Sequence, residues 1–187
     1  MYTPREDSFL IKKHIKDFCK KSNSSNSSFS VLDIGTGSGI LAQEASKYSK
    51  KVVATDIDSK TISFLKKEFK HTSKVKFLHS NLFSKINKKV KFDLIIFNPP
   101  YIPTKKINKK RDNIKYIDLD GGKNGTEIIE KFLKHAKKFL KKDGKILLLT
   151  SSLNKNIEKL FKKYNYTYIA LDEEKFAFEK IFLWVLS

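Results

Sequence analysis

Short apolar runs that alternate with amphipathic segments constrain the fold of this 187-residue chain more than any other feature. The runs are rich in Val, Ile, Leu and Phe, which is typical of strands buried in a sheet. They lie at residues 31–34, 52–55, 75–78, 92–97, 145–150, 166–171 and 180–186. Because helix-like segments separate most of them, most neighbouring strands are expected to run parallel. The pattern predicts an α/β, Rossmann-like fold: a mostly parallel seven-stranded sheet with one antiparallel strand and helices on both faces.

Turn chemistry gives the expected boundaries of the last elements. The amphipathic helix that begins near Ile128 is predicted to stop at Asp143 and Gly144, because glycine commonly ends helices. The last two strands are joined by residues 172–175, which are too few for a helical crossover. These two strands are therefore predicted to pair antiparallel.

The chain is predicted to form a single domain, residues 1–187, because this length suits one hydrophobic core. Residues 1–21 carry apolar positions spaced as one face of a helix, and Asp7 or Ser8 could cap that helix. The acidic turn formed by Glu6 and Asp7 could instead fold over a ligand. Residues 22–30, which are mostly Ser and Asn, form a low-complexity connector.

The formal charge of +19 raises the question of a nucleic-acid partner. Of the 39 basic residues, however, only Arg5 and Arg111 are arginine, the usual residue for paired contacts to phosphates and bases. The lysines are spread over every amphipathic segment, which favours solvated helix faces over a dedicated binding patch. Nucleic acid is therefore a possible but not a favoured partner, and a large RNA-containing or acidic partner stays open.

Cysteine and histidine usage indicates a reducing environment without structural metal. Cys19 is the single cysteine, and the four histidines show no metal-ligand spacing. No apolar run is long enough to span a bilayer, and residues 1–7 lack the features of a signal peptide. A cytoplasmic protein with no membrane association is expected.

The run at 92–97 delivers Asn98, Pro99, Pro100 and Tyr101 to its carboxyl end, which in an open α/β sheet is where ligands bind. Proline pushes the preceding residue into an extended conformation, so the oxygens of Asn98 and Pro99 are not consumed by a helix. Acceptors beside an aromatic ring suit a flat amino group, which can donate both hydrogens and stack at once. An ordinary turn after a strand could contain the same residues, so other parts of the chain must distinguish a ligand-binding site from a simple turn.

A glycine-rich turn at residues 35–39, Gly-Thr-Gly-Ser-Gly, follows the run at 31–34. Asp56 ends the next strand about 20 residues further on, where nucleotide-binding folds place an acid on the ribose hydroxyls. The glycine spacing differs from the dinucleotide pattern, and Asp33 just before the glycines would repel a pyrophosphate. A ligand with a ribose and a cationic amino-acid tail fits better, which indicates S-adenosyl-L-methionine.

A long polar segment, residues 102–122, follows the Asn-Pro-Pro-Tyr tetrapeptide. Loops of this length in compact domains are commonly functional, for instance as a substrate-binding lid. The other interpretation is an insertion that is merely mobile.

Taken together, these motifs resemble those of class I S-adenosylmethionine-dependent methyltransferases, and the tetrapeptide is typical of members that methylate planar nitrogens. More narrowly, the chain resembles the HemK-like glutamine N5-methyltransferases of class 1 peptide-chain release factors, in their eukaryotic and archaeal branch. The segments YTPREDSFL, VLDIGTGSG, ATDID, DLIIFNPPYIPT and GGKNGTEIIEKFL occur in the family's order. The segments YTPREDSFL and GGKNGTEIIEKFL distinguish this family from nucleic-acid methyltransferases, which share the Asn-Pro-Pro-Tyr tetrapeptide.

The resemblance implies a set of cofactor contacts. Asp33, Gly35 and Gly37 would line the methionine end of S-adenosyl-L-methionine, and Asp56 would hold its ribose. The remaining expected contacts are Ser8 from the first helix, Asn81 and Leu82 beside the adenine, and Asn98. The family usually has Asp at position 81, although an amide oxygen can accept the same hydrogen bond.

Asn98, Pro99, Pro100 and Tyr101 would then form the catalytic site. In this hypothesis the Asn98 side-chain oxygen and the Pro99 carbonyl each accept one N–H of the substrate amide, while Tyr101 packs against the amide plane. Such acceptors position the nitrogen and interact more strongly as it gains positive charge. No metal site is expected in this chain.

The resemblance also implies partners: a release factor methylated on the glutamine of its Gly-Gly-Gln motif, and a small zinc-binding activator subunit that forms a heterodimer. One alternative is a nucleic-acid methyltransferase acting on adenine N6 or on guanine N2 of ribosomal RNA. The dispersed charge and the lack of an appended recognition domain disfavour it. A second alternative, a non-catalytic adapter, is disfavoured because the glycine turn, Asp56 and the tetrapeptide occur together.

Overall fold

The computed structural model describes residues 6–20, 29–107, 119–176 and 179–187. Within these ranges the strands are β1 (Ser30–Ile34), β2 (Lys51–Asp56), β3 (Val75–His79), β4 (Phe92–Phe97), β5 (Leu140–Ser151), β6 (Tyr168–Lys175) and β7 (Lys180–Leu186). The α-helices are α1 (Glu6–Lys20), α2 (Ile40–Tyr48), α3 (Ser59–Glu68), α4 (Glu127–Ala136) and α5 (Ile157–Lys163). Short 3₁₀ turns lie at Thr104–Lys106 and Lys137–Phe139.

The strands form one seven-stranded sheet in the order β3-β2-β1-β4-β5-β7-β6. Every pair from β3 to β5 is parallel, whereas β7 runs antiparallel to both of its neighbours. The predicted fold class is therefore confirmed, with β7 as the reversed strand. Because β1 and β4 lie side by side, the segments that follow them meet at one edge of the sheet.

Helices cover both faces of the sheet and bury a separate apolar cluster on each. On one face α1, α2 and α3 contribute fully buried side chains such as Ile11 and Leu65. On the other face α4 and α5 contribute Phe132 and Phe161. Every residue of β1 is buried, as the continuous apolar run predicted for a strand covered on both sides.

The predicted end of the helix before β5 is wrong. Helix α4 ends at Ala136, and after one 3₁₀ turn β5 begins at Leu140, ahead of Asp143 and Gly144. Leu140 pairs with Phe92 of β4, and the pairing resumes at Lys145 after a bulge. Sheet pairing therefore overrides the local helical pattern, and the Asp-Gly pair forms the bulge rather than the helix stop.

The predicted connector between the last two strands is also misplaced. Residues 172–175 belong to β6 and pair with residues 180–183 of β7, so the connection lies at 176–179. The charged residues 172–175 favoured a turn in the sequence analysis. Strand β6, however, is the last strand of the sheet, and charged side chains are tolerated on such an exposed edge. The predicted antiparallel pairing of the two strands is confirmed.

Helix α1 begins at Glu6, so Asp7 and Ser8 lie inside its first turn rather than at the cap position. Further along, α1 is tied to the edge strand β6: His14 Nε2 lies 2.7 Å and Lys13 Nζ 2.9 Å from Asp172 Oδ2. These contacts, that of His14 foremost, lower the pKa of Asp172 to about 2. The predicted connector at 22–30 falls outside the described residues except for its last two positions.

Substitution of Phe132 by alanine should cost the fold about 3–5 kcal/mol of unfolding free energy, because it deletes a buried ring and leaves a cavity. The Phe132 ring is fully buried, with its centroid 4.5 Å from that of Phe97 and 5.4 Å from that of Phe83. Urea denaturation measures the loss. Phe64→Ala is the matched control, because Phe64 is 40% exposed on α3. Equal losses in the two variants would contradict this assignment of the core.

Candidate active site

A cavity of about 250 Å³ lies at the carboxyl ends of β1, β2 and β4. Its wall brings together almost all the site residues predicted from the sequence: Ser8, Gly35, Gly37, Asp56, Asn81, Leu82, Asn98, Pro99, Pro100 and Tyr101. Asp33 is the exception, because it is only 1% exposed and lies behind this wall. Asp7 from α1 also lines the cavity, as the second interpretation of the acidic turn proposed.

The glycine turn after β1 shapes one side of the cavity. Gly35 and Gly37 adopt φ values of 65° and 52°, which L side chains rarely adopt. The sharp turn places the Gly37 N–H 2.9 Å from Asp56 Oδ2 at the end of β2. Asp56 Oδ1 accepts the N–H of Asp58 at 2.9 Å. Each carboxylate oxygen keeps further acceptor capacity, so Asp56 is held in place and can still bind hydroxyl groups.

Asp33 is a buried carboxylate with one unused oxygen. Thr36 Oγ1 donates to its Oδ2 at 2.6 Å, whereas Oδ1 makes no hydrogen bond to any described residue. Burial, together with the negative charge of Asp56, raises the pKa of Asp33 to about 7, and hydrogen bonding from Thr36 and from the backbone of Ala42 opposes this rise. A cation bound at the glycine turn would stabilise the ionised form. The site therefore fits a ligand with a positively charged tail.

Asn98 presents the second unused acceptor. Its Nδ2 donates to Ser8 Oγ of α1 at 3.3 Å, while its Oδ1 is buried without a hydrogen-bond partner among the described residues. Buried polar atoms are nearly always paired, so an unpaired oxygen on a residue that lines the cavity indicates a ligand that donates to it. Two acceptors, the carboxyl of Asp33 near the end of β1 and the side-chain amide of Asn98 just after β4, thus lie at the carboxyl ends of neighbouring strands.

The part of the predicted lid that the structure describes is anchored to the rim of the cavity. The N–H of Ile102 donates to Leu119 O at 3.1 Å, and the N–H of Gly121 donates back to Ile102 O at 2.9 Å. Residues 108–118, including Asp118, lie outside the described residues. The lid function of 102–122 stays a prediction.

Thr36 and Asn154, which the sequence did not single out, each hold a predicted site residue through a hydrogen bond. Thr36 holds Asp33, and it could have been noticed as the hydroxyl inside the glycine turn. Asn154 donates a hydrogen bond from its side chain to Tyr101 O at 2.7 Å. No local motif marks Asn154, because its partners are distant in the chain.

Neither a membrane-spanning helix nor a metal cluster accompanies this site in the described ranges. None of the helices is long and apolar enough to cross a membrane. No group of three or more His, Cys, Asp and Glu side chains in those ranges is arranged to hold a metal ion.

The strand order, the glycine turn after β1, the acid at the end of β2 and the acceptor cluster after β4 define a class I S-adenosylmethionine-dependent methyltransferase. Comparison with known proteins agrees, since the family model of the methyltransferase small domain matches residues 18–113. The chain therefore belongs to this methyltransferase family, and the cofactor of the family is S-adenosyl-L-methionine.

Two relatives within the family are named for the methylation of glutamine. A chain from Methanocaldococcus jannaschii named protein N5-glutamine methyltransferase is 37% identical over 155 residues, which cover 82% of this chain and 73% of the relative. A release factor glutamine methyltransferase from Pasteurella multocida is 30% identical over 162 residues, covering 78% of this chain and 54% of the relative. These relatives confirm the family recognised from the sequence motifs.

A solved structure shows the same fold over the whole chain. The E. cuniculi Mtq2–Trm112 complex, responsible for the methylation of the eRF1 translation termination factor, matches with a TM-score of 0.68. The match is 22% identical and covers 100% of this chain and 97% of that one.

Proposed function

We propose that this chain transfers the methyl group of S-adenosyl-L-methionine to the side-chain amide nitrogen of a glutamine, in the Gly-Gly-Gln motif of a class 1 peptide-chain release factor. The observation that carries the proposal is the buried, unpaired Oδ1 of Asn98, a residue that lines the cavity. The names of the relatives support the choice of a glutamine amide over other planar nitrogens.

Substrate binding is assigned to the tetrapeptide. Asn98 Oδ1 and the carbonyl oxygen of Pro99 each accept one N–H of the glutamine amide, and Tyr101 packs against the amide plane. The prolines at 99 and 100 keep this segment out of a helix, so the carbonyl oxygen is available. Two acceptors fix both hydrogens and therefore fix the direction of the nitrogen lone pair.

The same acceptors lower the barrier to transfer. A carboxamide nitrogen is a poor nucleophile because its lone pair is delocalised into the carbonyl group. As the new C–N bond forms, the nitrogen gains positive charge and its N–H groups become stronger donors. Asn98 and Pro99 then bind the transition state more tightly than the ground state. The extra proton is acidic once the bond has formed, so no dedicated general base is required.

Cofactor binding is assigned to the glycine turn and its neighbours. When bound, S-adenosyl-L-methionine supplies an electrophilic methyl group on a sulfonium. Asp33 compensates the ammonium of the methionine tail, and Asp56 accepts hydrogen bonds from the ribose. The other residues proposed to hold the cofactor are Ser8, Gly35, Gly37, Asn81, Leu82 and Asn98.

We further propose a small partner subunit. The support is the fold shared with Mtq2, which was solved in a complex with Trm112. A zinc site in such a subunit and a cytoplasmic location remain predictions from the sequence.

Mass spectrometry of a release factor after reaction with this chain tests the proposed function. We expect one added methyl group on the glutamine of the Gly-Gly-Gln loop, and none on a substrate in which that glutamine is replaced by glutamate. Parallel reactions contain labelled cofactor with total nucleic acid, and each is run with and without a candidate activator subunit. Label in RNA or DNA alone would overturn the proposal in favour of the nucleic-acid alternative.

A further inference from the structure

Asn154 joins three separate segments through one side chain. It is 4% exposed and lies just beyond the end of β5. Its Oδ1 accepts the N–H of Ser151 at 2.8 Å. Its Nδ2 donates to Tyr101 O at 2.7 Å and to Gly125 O at 2.9 Å. The amide is thus engaged at both ends, as a buried amide must be to offset its desolvation.

Two glycines let the loop after Leu119 pack directly on the backbone of the tetrapeptide. A Cβ atom on Gly121 would lie 2.8 Å from Pro100 O, which is closer than real side chains approach. Gly125 has a φ of 76°, and a Cβ there would lie 2.8 Å from Asn154 Nδ2. Any side chain at either position would push the two segments apart. This explains two of the three glycines in the Gly-Gly-Lys-Asn-Gly stretch that distinguished the family in the sequence.

The tetrapeptide needs anchors of this kind because it has few hydrogen-bond donors of its own. Pro99 and Pro100 have no N–H, so neither can be held by donating to a neighbouring strand. The segment must instead be held through its carbonyl groups. The Tyr101 carbonyl is the group that Asn154 binds.

We propose that Asn154 is a positioning residue for methyl transfer: its amide, with Gly121 and Gly125, holds the Asn98–Tyr101 backbone where its acceptors can engage the substrate. Asn154 acts through the tetrapeptide, since Tyr101 and not Asn154 lines the cavity. The proposal rests on the proposed function for the identity of the substrate.

Asn154→Asp is the decisive variant because it keeps the size of the side chain and the acceptor for Ser151 but removes both donated hydrogen bonds. We expect kcat to fall at least about tenfold, towards the roughly 100-fold loss that a displacement of about 1 Å can cause. The dissociation constant for S-adenosyl-L-methionine should stay within about threefold, because the glycine turn and Asp56 are untouched. Asn154→Ala should likewise lower kcat and leave the dissociation constant nearly unchanged.

Tyr166→Phe is the matched control for a structural effect. It removes another buried hydrogen bond, the one that the Tyr166 hydroxyl donates to Leu133 O at 2.8 Å, away from the cavity. It should lower the thermal midpoint without lowering kcat by more than about twofold. An equal loss of kcat in Tyr166→Phe and Asn154→Asp, or an unchanged kcat in Asn154→Asp, would overturn the proposal.

Amide hydrogen exchange provides a readout that does not depend on turnover. The N–H of Gly121 is bonded to Ile102 O and that of Thr104 to Gly122 O, both at 2.9 Å. In Asn154→Asp these amides should exchange faster relative to amides of β1, whereas in Tyr166→Phe they should not. If the unaltered chain does not methylate a release factor, the proposed function fails. Unchanged exchange at Gly121 and Thr104 instead contradicts the role of Asn154.

Discussion

Replacing Asn98 with alanine is expected to reduce methyl transfer by a factor on the order of 10², and up to 10³, the loss that follows when a group that stabilises transition-state charge is removed. The variant removes the buried Oδ1 that has no partner among the described residues. The effect should fall on kcat more than on KM, because the acceptor gains strength as the nitrogen becomes positive.

Cofactor binding separates a catalytic role of Asn98 from a structural one. The dissociation constant for S-adenosyl-L-methionine, measured by calorimetry, should change by less than about tenfold, even though Asn98 Nδ2 also donates to Ser8 Oγ of α1. Asn98→Asp keeps an oxygen acceptor and should retain more activity than Asn98→Ala. Asn87→Ala serves as the distant control, because Asn87 is exposed and the one hydrogen bond described for its side chain is the N–H of Lys89 in the same turn. Near-normal turnover of Asn98→Ala would reject the assignment.

The second large effect is expected at Asp33. Asp33→Asn should weaken binding of S-adenosyl-L-methionine by about 2–5 kcal/mol, the range for removing one partner of a buried charge pair. In the unaltered chain the affinity should fall about tenfold for each pH unit below about 7, because the ammonium of the cofactor prefers the carboxylate and protonation removes it. Calorimetric titrations between about pH 5.5 and 8.5 would measure both effects.

The stability of the ligand-free chain should show the opposite trend. The pKa of Asp33 is about 7 in the folded chain, above the ordinary value of 3.8. Between these values the folded chain binds a proton that the unfolded chain has released, so this carboxyl makes stability fall as pH rises from about 4 to about 7. Asp33→Asn should remove that contribution, and Asp17→Asn on the exposed side of α1 should not. A pH dependence of cofactor binding that persists in Asp33→Asn would assign the titration to another group.

The central strands could be predicted from the sequence because their environment is uniform. Leu32 of β1 and Ile95 of β4 are fully buried in a sheet covered on both faces, so an apolar run is a sufficient signal. Parallel strands share a carboxyl edge, and for that reason Asp56 and Asn98, though distant in the chain, line one cavity.

The features that could not be predicted depend on a partner strand or on a distant segment. The local pattern around Leu140 predicts a helix, but Leu140 belongs to β5 because it pairs with Phe92 of β4. Glu173 resembles a turn residue and becomes an edge strand through β7. Asn154 meets Tyr101 across 53 positions in the chain, and no periodicity or motif encodes such a contact.

The place of β7 between β5 and β6 also bears on the order of folding. Strand β6 joins the sheet only through β7 in the part of the chain that the structure describes, and β6 carries Asp172, the anchor of α1. The contact from His14 to Asp172 spans 158 positions, and closures of this length are slow compared with local ones. During synthesis, β1 to β5 can pair before β7 has left the ribosome, whereas α1, which carries Ser8, gains its anchor only afterwards. We therefore expect the contact that ties α1 to β6 to form among the last steps of folding, after the glycine turn and Asp56 of the methyl-donor site are already in place.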